Sequence, residues 1–384
     1  MKMILKIITT AAILFLALPK CSTAEELTLD QVGLALQSTE ELLTIYDEFR
    51  KLHGRTGSMS RNEFTKRLAL FRRSLVKIYN MKADNEITWK VGITLMADMT
   101  ESERMILVGV NVTTMYDRPE DRNTTLKWSD NKLQSGSNPP EEWDWRNPTP
   151  QDNVGSFVTE PVEQHWKNCW VYAAVTPVET LLKLHTQQLV ELSTQELYDC
   201  TYDGNNVEGS GRFRDAWDWI RKSGRLGTRK DIPDRPKSRP THFMKLMYED
   251  QRNALEGFRL GDTLWVSNEE EMLSDIYSRS PVGVAMQIEG LHLDVYKGEL
   301  FQQHPAKGVE CYKKSKHAMT VVGYNRFALV IKNSWGKEWG HEGYLLWVRG
   351  QKNSCGMYEV AGSISMIPDE NALQKKKRVR RSVE

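Results

Sequence analysis

The sequence lacks the short motifs that mark several enzyme classes. Its 384 residues contain no CxxC or HExxH pattern, no glycine-rich phosphate loop, no GxGxxG and no GxSxG. The first two are typical zinc-binding patterns, the glycine-rich motifs bind nucleotides, and the last marks a serine hydrolase. The sequence therefore offers no motif for a metal or a nucleotide, and we expect no cofactor.

Excess charge is absent, and long apolar runs are rare. The formal net charge is +1, which gives no electrostatic reason to expect nucleic acid as a partner. The one long apolar run, residues 7–18, follows Lys2 and Lys6 and precedes small residues up to Ala24, as in a secretory signal peptide. It is shorter than the roughly 20 residues that span a bilayer. We predict a signal peptide over 1–24, with a buried helix or an uncleaved anchor as the alternative, and no membrane span afterwards. The expected location is the secretory pathway, lysosomal or extracellular.

The composition changes along the chain and predicts separate parts. Apolar residues at helical spacing predict helices over 40–51 and 61–81, and residues 92–99 look extended. A polar stretch with Gly and Pro, residues 111–140, has the composition of a linker and carries N-x-T sequons, so glycosylation is expected at Asn111 and Asn123. The last residues, 369–384, form a basic tail without apolar periodicity.

The part from about residue 143 has a helical first half and a strand-rich second half. We predict helices over 169–192 and 212–222, and strands over 282–285, 318–324, 328–332 and 343–348. Helices that precede the strands, and do not alternate with them, indicate the α+β class.

Four residues in this part could together cleave a peptide bond. A thiolate is a good nucleophile when a positive partner and a helix N-terminus lower its pKa, and Cys169 lies at the predicted start of a helix. His317 follows about 150 residues later, just before an apolar strand, and could be its base. Asn333 could accept a hydrogen bond from the imidazole, while Gln164 and the backbone N–H of Cys169 could stabilise an oxyanion.

Taken one at a time, the same residues also have ordinary structural interpretations. Cys169 could be an inert buried thiol, and His317 could lie in a surface loop. Asn333 could be a turn residue, and Gln164 could be solvated or cap a helix. Position alone does not decide between the catalytic and the structural interpretation.

Longer motifs around these residues resemble those of the papain-like cysteine proteases (peptidase family C1), and in particular the cathepsin L-like enzymes. The most specific is NSWGKEWGHEGY over residues 333–344, and the runs WDWR over 143–146 and LSTQELYDC over 192–200 also match. In the first part of the chain, Glu63, Arg67, Phe71 and Ile78 keep the spacing of the family's interrupted pro-peptide helix motif. The resemblance covers nearly the whole chain.

The resemblance implies a zymogen of a cysteine endopeptidase. It implies the papain-like two-lobed fold, with a helical lobe and a β-barrel-like lobe, behind an N-terminal helical pro-domain. Residues 25–138 would be the inhibitory pro-peptide and linker, with the inhibitor domain over about 40–100, and residues 139–368 would be the peptidase domain. The implied partners are protein or peptide substrates, the chain's own pro-peptide and cystatin-type inhibitors, and the enzyme would be a monomer.

The resemblance also assigns site residues and a disulfide. The catalytic residues would be Cys169, His317, Asn333 and Gln164, and the substrate would be bound by Ser210, Gly211, Phe213, Ala285, Ser315, Lys316, Trp335 and Val360. Because this pocket is mostly apolar, it would favour Leu, Val or Phe two residues before the cut. Of the family's disulfides only the one between Cys311 and Cys355 would remain, since Trp166 and Glu208 replace another pair of cysteines. Cys200 is expected to stay a buried thiol.

Two features depart from the family's pattern. The run HWKNC over residues 165–169 leaves one residue fewer than usual between Gln164 and Cys169, and its side chains are bulkier. A turn that usually contains two glycines is here Ser210 and Gly211. A displaced oxyanion donor would slow the reaction, because rates are sensitive to misplacements of about 1 Å. A catalytically impaired homologue, acting as a secreted binding or structural protein, is therefore the alternative hypothesis.

Overall fold

The computed structural model describes residues 27–108, 138–148, 154–201, 209–235, 248, 253–312, 316–351 and 354–369. We call residues 27–108 the N-terminal segment and the described residues from 138 onward the main body. The predictions of a signal peptide, of glycosylation at Asn111 and Asn123, of a role for Ser315 and of a basic tail beyond residue 369 lie outside the described residues. Within these ranges no helix is both long and apolar enough to cross a membrane.

Helices dominate the N-terminal segment. They are α1 (Leu29–Gln37), α2 (Thr39–Leu52), α3 (Arg61–Ala83) and α4 (Glu101–Ile106). Each begins after a Ser or Thr whose hydroxyl accepts a hydrogen bond from a backbone N–H of the first turn, as N-cap residues do. Apolar side chains of α2 and α3 pack together, with the rings of Tyr46 and Phe71 and of Phe49 and Phe71 each 5.0 Å apart.

Two of these helices agree with the sequence prediction to within two residues, and one predicted element is wrong. The stretch 92–99 is not extended as a whole. Only a short strand, β1 (Lys90–Val91), precedes it, and residues 95–98 form turns. Strand β1 pairs antiparallel with β5 (Tyr296–Gly298) of the main body, so the N-terminal segment is held against the main body by backbone hydrogen bonds.

The helices of the main body are α5 (Cys169–Thr186), α6 (Thr194–Thr201), α7 (Phe213–Ser223) and α8 (Glu269–Ser278). The sequence predicted that the first of these would run to Leu192, but it ends at Thr186. Gln187 takes a left-handed conformation with φ 61°, which stops a helix. Leu192 lies in an extended bridge with Thr228. Helix α6 was not predicted.

The interior of α5 contains a proline whose cost is offset by a neighbouring strand. Pro177 has no N–H, so the carbonyl of Ala173 loses its usual helical partner. The hydroxyl of Thr320 donates a hydrogen bond to that carbonyl at 3.2 Å, and the indole of Trp217 donates to the next carbonyl, that of Ala174, at 2.9 Å. These bonds fix α5 both to the sheet and to α7.

The sheet of the main body is open. Its strands are β2 (Trp143–Asp144), β3 (Phe258–Trp265), β4 (Val282–Gln287), β6 (Leu300–Phe301), β7 (Lys316–Tyr324), β8 (Ala328–Lys332), β9 (Tyr344–Val348) and β10 (Ala361–Pro368). They follow the order β3-β10-β4-β7-β8-β9-β6, with β2 paired to β7. Because the described strands at the two ends do not pair with each other, this lobe is not the closed barrel that a β-barrel-like lobe would suggest. The α+β class holds.

Two apolar cores both include residues of the central strand β7. One packs α5, α6 and α7 against the sheet and contains Cys169 and Ala318. The other contains Trp335 and Trp339 together with apolar residues of the N-terminal segment. The start of α5 and the start of β7 meet where these two cores adjoin.

A disulfide joins Cys311 and Cys355, the pair that the resemblance implies, with Cα atoms 5.8 Å apart. Cys169 and Cys200 take part in no disulfide. Cys200 is half-buried, which corrects the expectation that it is buried. Cys355 lies two residues before a 3₁₀ helix, Met357–Glu359, which leads into β10, so the disulfide lies next to the start of that strand.

Candidate active site

Cys169 is the first residue of α5 and is completely buried. Its sulfur accepts a hydrogen bond from the backbone N–H of Ala318 at 3.5 Å. Ala318 follows His317 in β7, so the helix start brings the thiol next to the predicted base. A helix N-terminus favours a negative charge, which suits a sulfur that must act as a thiolate.

His317 and Asn333 are brought together by the pairing of β7 with β8. Thr320 lies opposite Lys332 in this antiparallel pair, so the start of β7, which contains His317, lies beside the residues that follow β8. Nε2 of His317 lies 2.7 Å from Oδ1 of Asn333. The backbone N–H of Ser334 also donates to that oxygen at 2.8 Å, which fixes the orientation of the amide. Since Oδ1 can only accept, Nε2 carries the proton and Nδ1 is left to exchange one.

Burial controls the charge of the imidazole. It lowers the pKa of His317 to about 4, and hydrogen bonding to Asn333 and to the backbone of Leu107 opposes the shift. The indole of Trp335 stacks on the imidazole, with ring centroids 4.6 Å apart, and covers the bond to Asn333 from one side. In this form of the protein His317 is therefore neutral at physiological pH.

The backbone of Leu107 meets His317 at the end of α4. Leu107 is buried and belongs to the same core as Trp335. Nδ1 of His317 is buried, and no described residue makes a hydrogen bond of good geometry with it. The backbone of Leu107 is nevertheless near enough to raise the pKa of the imidazole. The N-terminal segment thus covers the imidazole of His317, through a contact of Leu107 that the sequence did not reveal.

Gln164 is buried and locked by its neighbours in spite of the shortened loop. Its Oε1 accepts a hydrogen bond from the hydroxyl of Ser334 at 2.6 Å, and its backbone N–H donates to the Ser334 carbonyl at 2.8 Å. Its Nε2 donates to the carbonyl of Trp166 at 2.7 Å. An amide nitrogen has two hydrogens, so one remains available to an oxyanion.

The shortened loop is braced by aromatic packing. Trp166 is partly buried against the core that contains Cys169. A Cβ on Gly209 would lie 3.1 Å from the indole nitrogen of Trp166 and 1.9 Å from the hydroxyl of Tyr198, so this glycine is required. The indole of Trp170 also donates to the carbonyl of Gly209 at 3.2 Å.

The predicted substrate-binding residues fall into two groups. Phe213 and Ala285 are buried in the core that contains Cys169, and Val360 packs at its edge. Gly211 lies so close to Trp170 that a Cβ on it would be 2.5 Å from the Trp170 ring. Ser210, the residue before it, is half-buried. Trp335 lies in the other core, on the opposite side of His317.

Lys316 does not contribute an open positive charge to the pocket. Its side chain is buried, and its Nζ pairs with the carboxylate of Glu359 at 2.7 Å. Among the described residues no group of three or more His, Cys, Asp or Glu side chains could hold a metal ion.

A buried lysine and a buried glutamate, joined through the hydroxyl of Thr159, were missed by the sequence analysis. Nζ of Lys332 donates to Thr159 at 2.8 Å, and the Thr159 hydroxyl donates to Glu179 at 2.6 Å. Burial raises the pKa of Glu179 and lowers that of Lys332, and each charge opposes the shift of the other. The only sequence signal was two charged residues within apolar stretches. The two side chains link α5 to β8, whose last residue, Lys332, precedes Asn333.

The family model described as papain family cysteine protease matches residues 139–364. Germination-specific cysteine protease 1 of Arabidopsis thaliana is 27% identical, over 84% of this chain and 84% of its own. Vignain of Phaseolus vulgaris is 27% identical, over 87% and 86%. The proform of the ragweed pollen cysteine protease Amb a 11 superposes with a TM-score of 0.67 at 22% identity, covering 86% of this chain and 97% of that one.

Proposed function

The chain belongs to the papain family of cysteine proteases, whose model covers more than half of its length, and we propose that it cleaves peptide bonds with Cys169, His317 and Asn333 as its catalytic residues. As a member of that family it is a cysteine endopeptidase with the fold of a zymogen. One observation carries the assignment of residues. The buried thiol at the start of α5 lies beside a histidine whose far nitrogen is held by an asparagine.

The chemistry follows from these positions. The Cys169 thiol gives its proton to Nδ1 of His317, and its sulfur attacks the substrate carbonyl carbon. The carbonyl oxygen becomes an oxyanion, which accepts hydrogen bonds from the backbone N–H of Cys169 and from the remaining Nε2 hydrogen of Gln164. His317 then protonates the leaving amine as the C–N bond breaks. Water, deprotonated by His317, hydrolyses the thioester and restores the thiol.

The N-terminal segment acts as the inhibitory pro-peptide in this proposal. Its Leu107 backbone occupies the surroundings of the catalytic imidazole, and a substrate could not bind there at the same time. Activation requires a cut in the chain after residue 108, and we place it between residues 131 and 141. Secretion through a signal peptide over 1–24, glycosylation at Asn111 and Asn123, a monomeric enzyme and inhibition by cystatin-type proteins belong to the same proposal.

Substrate selection is assigned to the apolar group of Phe213, Ala285 and Val360. These residues lie beside Cys169 and offer apolar surface, so a substrate with Leu, Val or Phe two residues before the cut is favoured. The pairing of Lys316 with Glu359 supports this, since it neutralises the one lysine assigned to the pocket. A peptide library that shows a preference for Arg or Asp at this position would contradict the assignment.

The test of the catalytic residues is labelling of the processed protein with an epoxide that alkylates cleft thiolates. We expect one label on Cys169 and loss of peptidase activity with it. Cys169→Ala and His317→Ala should both abolish labelling and activity while circular dichroism remains unchanged, and Cys200→Ala serves as the control that keeps both. Absence of labelling in the processed wild-type protein would favour the impaired homologue.

A further inference from the structure

Asp294 binds both of the basic side chains that the N-terminal segment directs at it. Nζ of Lys77, on α3, lies 2.6 Å from Oδ1, and a guanidinium nitrogen of Arg104, on α4, lies 3.1 Å from Oδ2. The Asp294 side chain is only 14% exposed. Burial raises the pKa of Asp294, but Lys77, Arg104 and, less strongly, His292 lower it, and the net shift is downward. The site is therefore a buried anion that is matched to two cations.

Both of these cations leave when the N-terminal segment leaves. The segment also covers Asp294 through its backbone, since the hydroxyl of Thr94 donates to the Asp294 carbonyl and the N–H of Gly92 donates to that of Val295 at 2.9 Å. Among the main-body groups, the titratable one that acts on the carboxylate is His292, whose own pKa is lowered by burial and by Lys77. Activation therefore uncovers a carboxylate without a lysine or arginine partner.

The position of Asp294 relative to the catalytic residues decides what it can bind. Arg104, which reaches Asp294, precedes Leu107 by three residues, and three residues of helix rise about 4.5 Å. Since the Leu107 backbone meets His317, helix α4 connects the region of the Asp294 carboxylate with the surroundings of the proposed base. Leu293, the residue before Asp294, is also connected to the site. The indole of Trp339 donates a hydrogen bond to the Leu293 carbonyl at 2.9 Å, and Trp339 packs on Trp335.

The side of the cleft follows from the two cores. Phe213 and Ala285, assigned to the substrate residue before the cut, lie in the core with Cys169. Leu293, Trp335 and Trp339 lie in the other core, and the ring of Trp335 stacks on His317. Asp294, the residue after Leu293, is therefore assigned to the side that receives residues after the cut.

We propose that in the processed enzyme Asp294 is a cation-binding subsite that selects Lys or Arg at the first or second position after the scissile bond, and that Lys77 and Arg104 occupy it in the precursor. The inference rests on the proposed peptidase function. It adds a charge preference on the leaving-group side to the apolar preference on the acyl side, so favoured substrates combine an apolar residue before the cut with a basic residue after it.

The experiment uses quenched fluorescent peptides with identical acyl sides and with Lys, Gln or Glu at the first two positions after the cut. In processed wild-type enzyme we expect kcat/KM to be about fivefold higher for Lys than for Gln, the upper range for a partly exposed ion pair, and lower still for Glu. The Lys-to-Gln ratio should fall as salt is raised, because ions screen the pair. In Asp294→Asn the ratio should fall to about one.

Asp262→Asn is the matched control, because it removes the same charge from an exposed position on β3 and should keep the wild-type ratio. If Asp294→Asn does not fold, the salt dependence of the wild-type ratio decides. Cleavage of all three peptides at equal rates would overturn the subsite and leave the peptidase assignment standing. If the enzyme cleaves neither these three peptides nor an aminocoumarin amide with the same acyl side, the proposed function is overturned.

Discussion

The hydroxyl and the backbone of one serine organise both hydrogen-bonding ends of the site. Ser334 donates its N–H to Asn333 and its hydroxyl to Gln164, so a single residue fixes the amide that holds the imidazole and the amide assigned to the oxyanion. Because the Gln164 oxygen is engaged, its nitrogen must face the loop, where one hydrogen meets the Trp166 carbonyl. The Gln164 amide is thus placed by Ser334 and not by the length of the loop alone.

Substitutions at these two residues should separate donation from positioning. Gln164→Ala should lower kcat by about 10²- to 10³-fold, as loss of one oxyanion donor does. Ser334→Ala should lower kcat by roughly tenfold with little change in KM, because the Gln164 amide is then held on one side only. Steady-state kinetics of the processed enzyme measure both, and the exposed Gln188→Ala is the control. If Gln164→Ala were neutral, another group would have to bind the oxyanion.

At the scale of elements, the residue that ends helix α2, His53, lies at the interface between the N-terminal segment and the main body. Burial, together with the charges of Arg55 and Lys297, lowers the pKa of His53 to about 4, and Glu338 opposes this shift. Because the docked segment disfavours the charged imidazole, proton uptake favours release. His53 does not affect docking well above pH 6.5. As the pH falls below that value, protonation of His53 weakens docking, and this weakening is nearly complete near pH 4.

A second group acts in a lower range. Hydrogen bonding to Arg67 lowers the pKa of Glu103 to about 2, against burial that raises it. The charged Glu103 carboxylate stabilises the docked segment above about pH 4.5, and this stabilisation is lost as the pH falls from there to about 2. Release in mild acid is therefore assigned to His53, together with His292 and His317, whose pKa values burial also lowers, and not to this carboxylate.

His53→Gln should make removal of the N-terminal segment less steeply dependent on pH between 6.5 and 4, because the amide cannot take up the proton. The rate of processing of the purified precursor, followed by gel electrophoresis over this range, measures the slope. His185→Gln, at a histidine of the main body far from the interface, should behave as wild type. An unchanged slope in His53→Gln would assign the acid response to other groups.

Local signals predicted much of the fold, and contacts between distant parts escaped them. Helices α2 and α3 and strand β8 follow directly from their apolar spacing. The apolar residues up to Leu192 suggested a longer α5, because the spacing cannot show that Gln187 turns left-handed. The resemblance placed Cys169, His317 and Asn333, but the contact of Arg104 with Asp294 joins residues 190 apart and has no sequence signal.

On the scale of the whole molecule, Glu179 and Lys332 connect the helical core to the sheet through the hydroxyl of Thr159. Lys332 is 9% exposed and precedes Asn333, while Glu179 lies inside α5 and also accepts the backbone N–H of Leu192 at 2.8 Å. Removing one partner leaves the other charge buried without compensation, which is far more costly than replacing both.

Lys332→Met should therefore destabilise the precursor by about 3–5 kcal/mol. The measurement is urea unfolding in a Cys169→Ala background, which prevents self-processing. Lys332→Met combined with Glu179→Gln should recover a large part of this loss, since no buried carboxylate then lacks its cation. A double variant as unstable as the single one would show that packing, and not charge, holds this region together.

Strand β5 owes its pairing to a part of the chain that the active enzyme discards. In the precursor β1 covers it, with Lys90 opposite Gly298 and Val91 opposite Tyr296. Once β1 departs, the three residues of β5 present an unpaired sheet edge to solvent, and such an edge can pair with any extended chain. The Lys297 charge at its centre counters this only in part. At equal concentration, the processed enzyme should therefore lose colloidal stability sooner than its precursor, and an extended peptide that aligns with residues 296–298 should act as a stabiliser in storage.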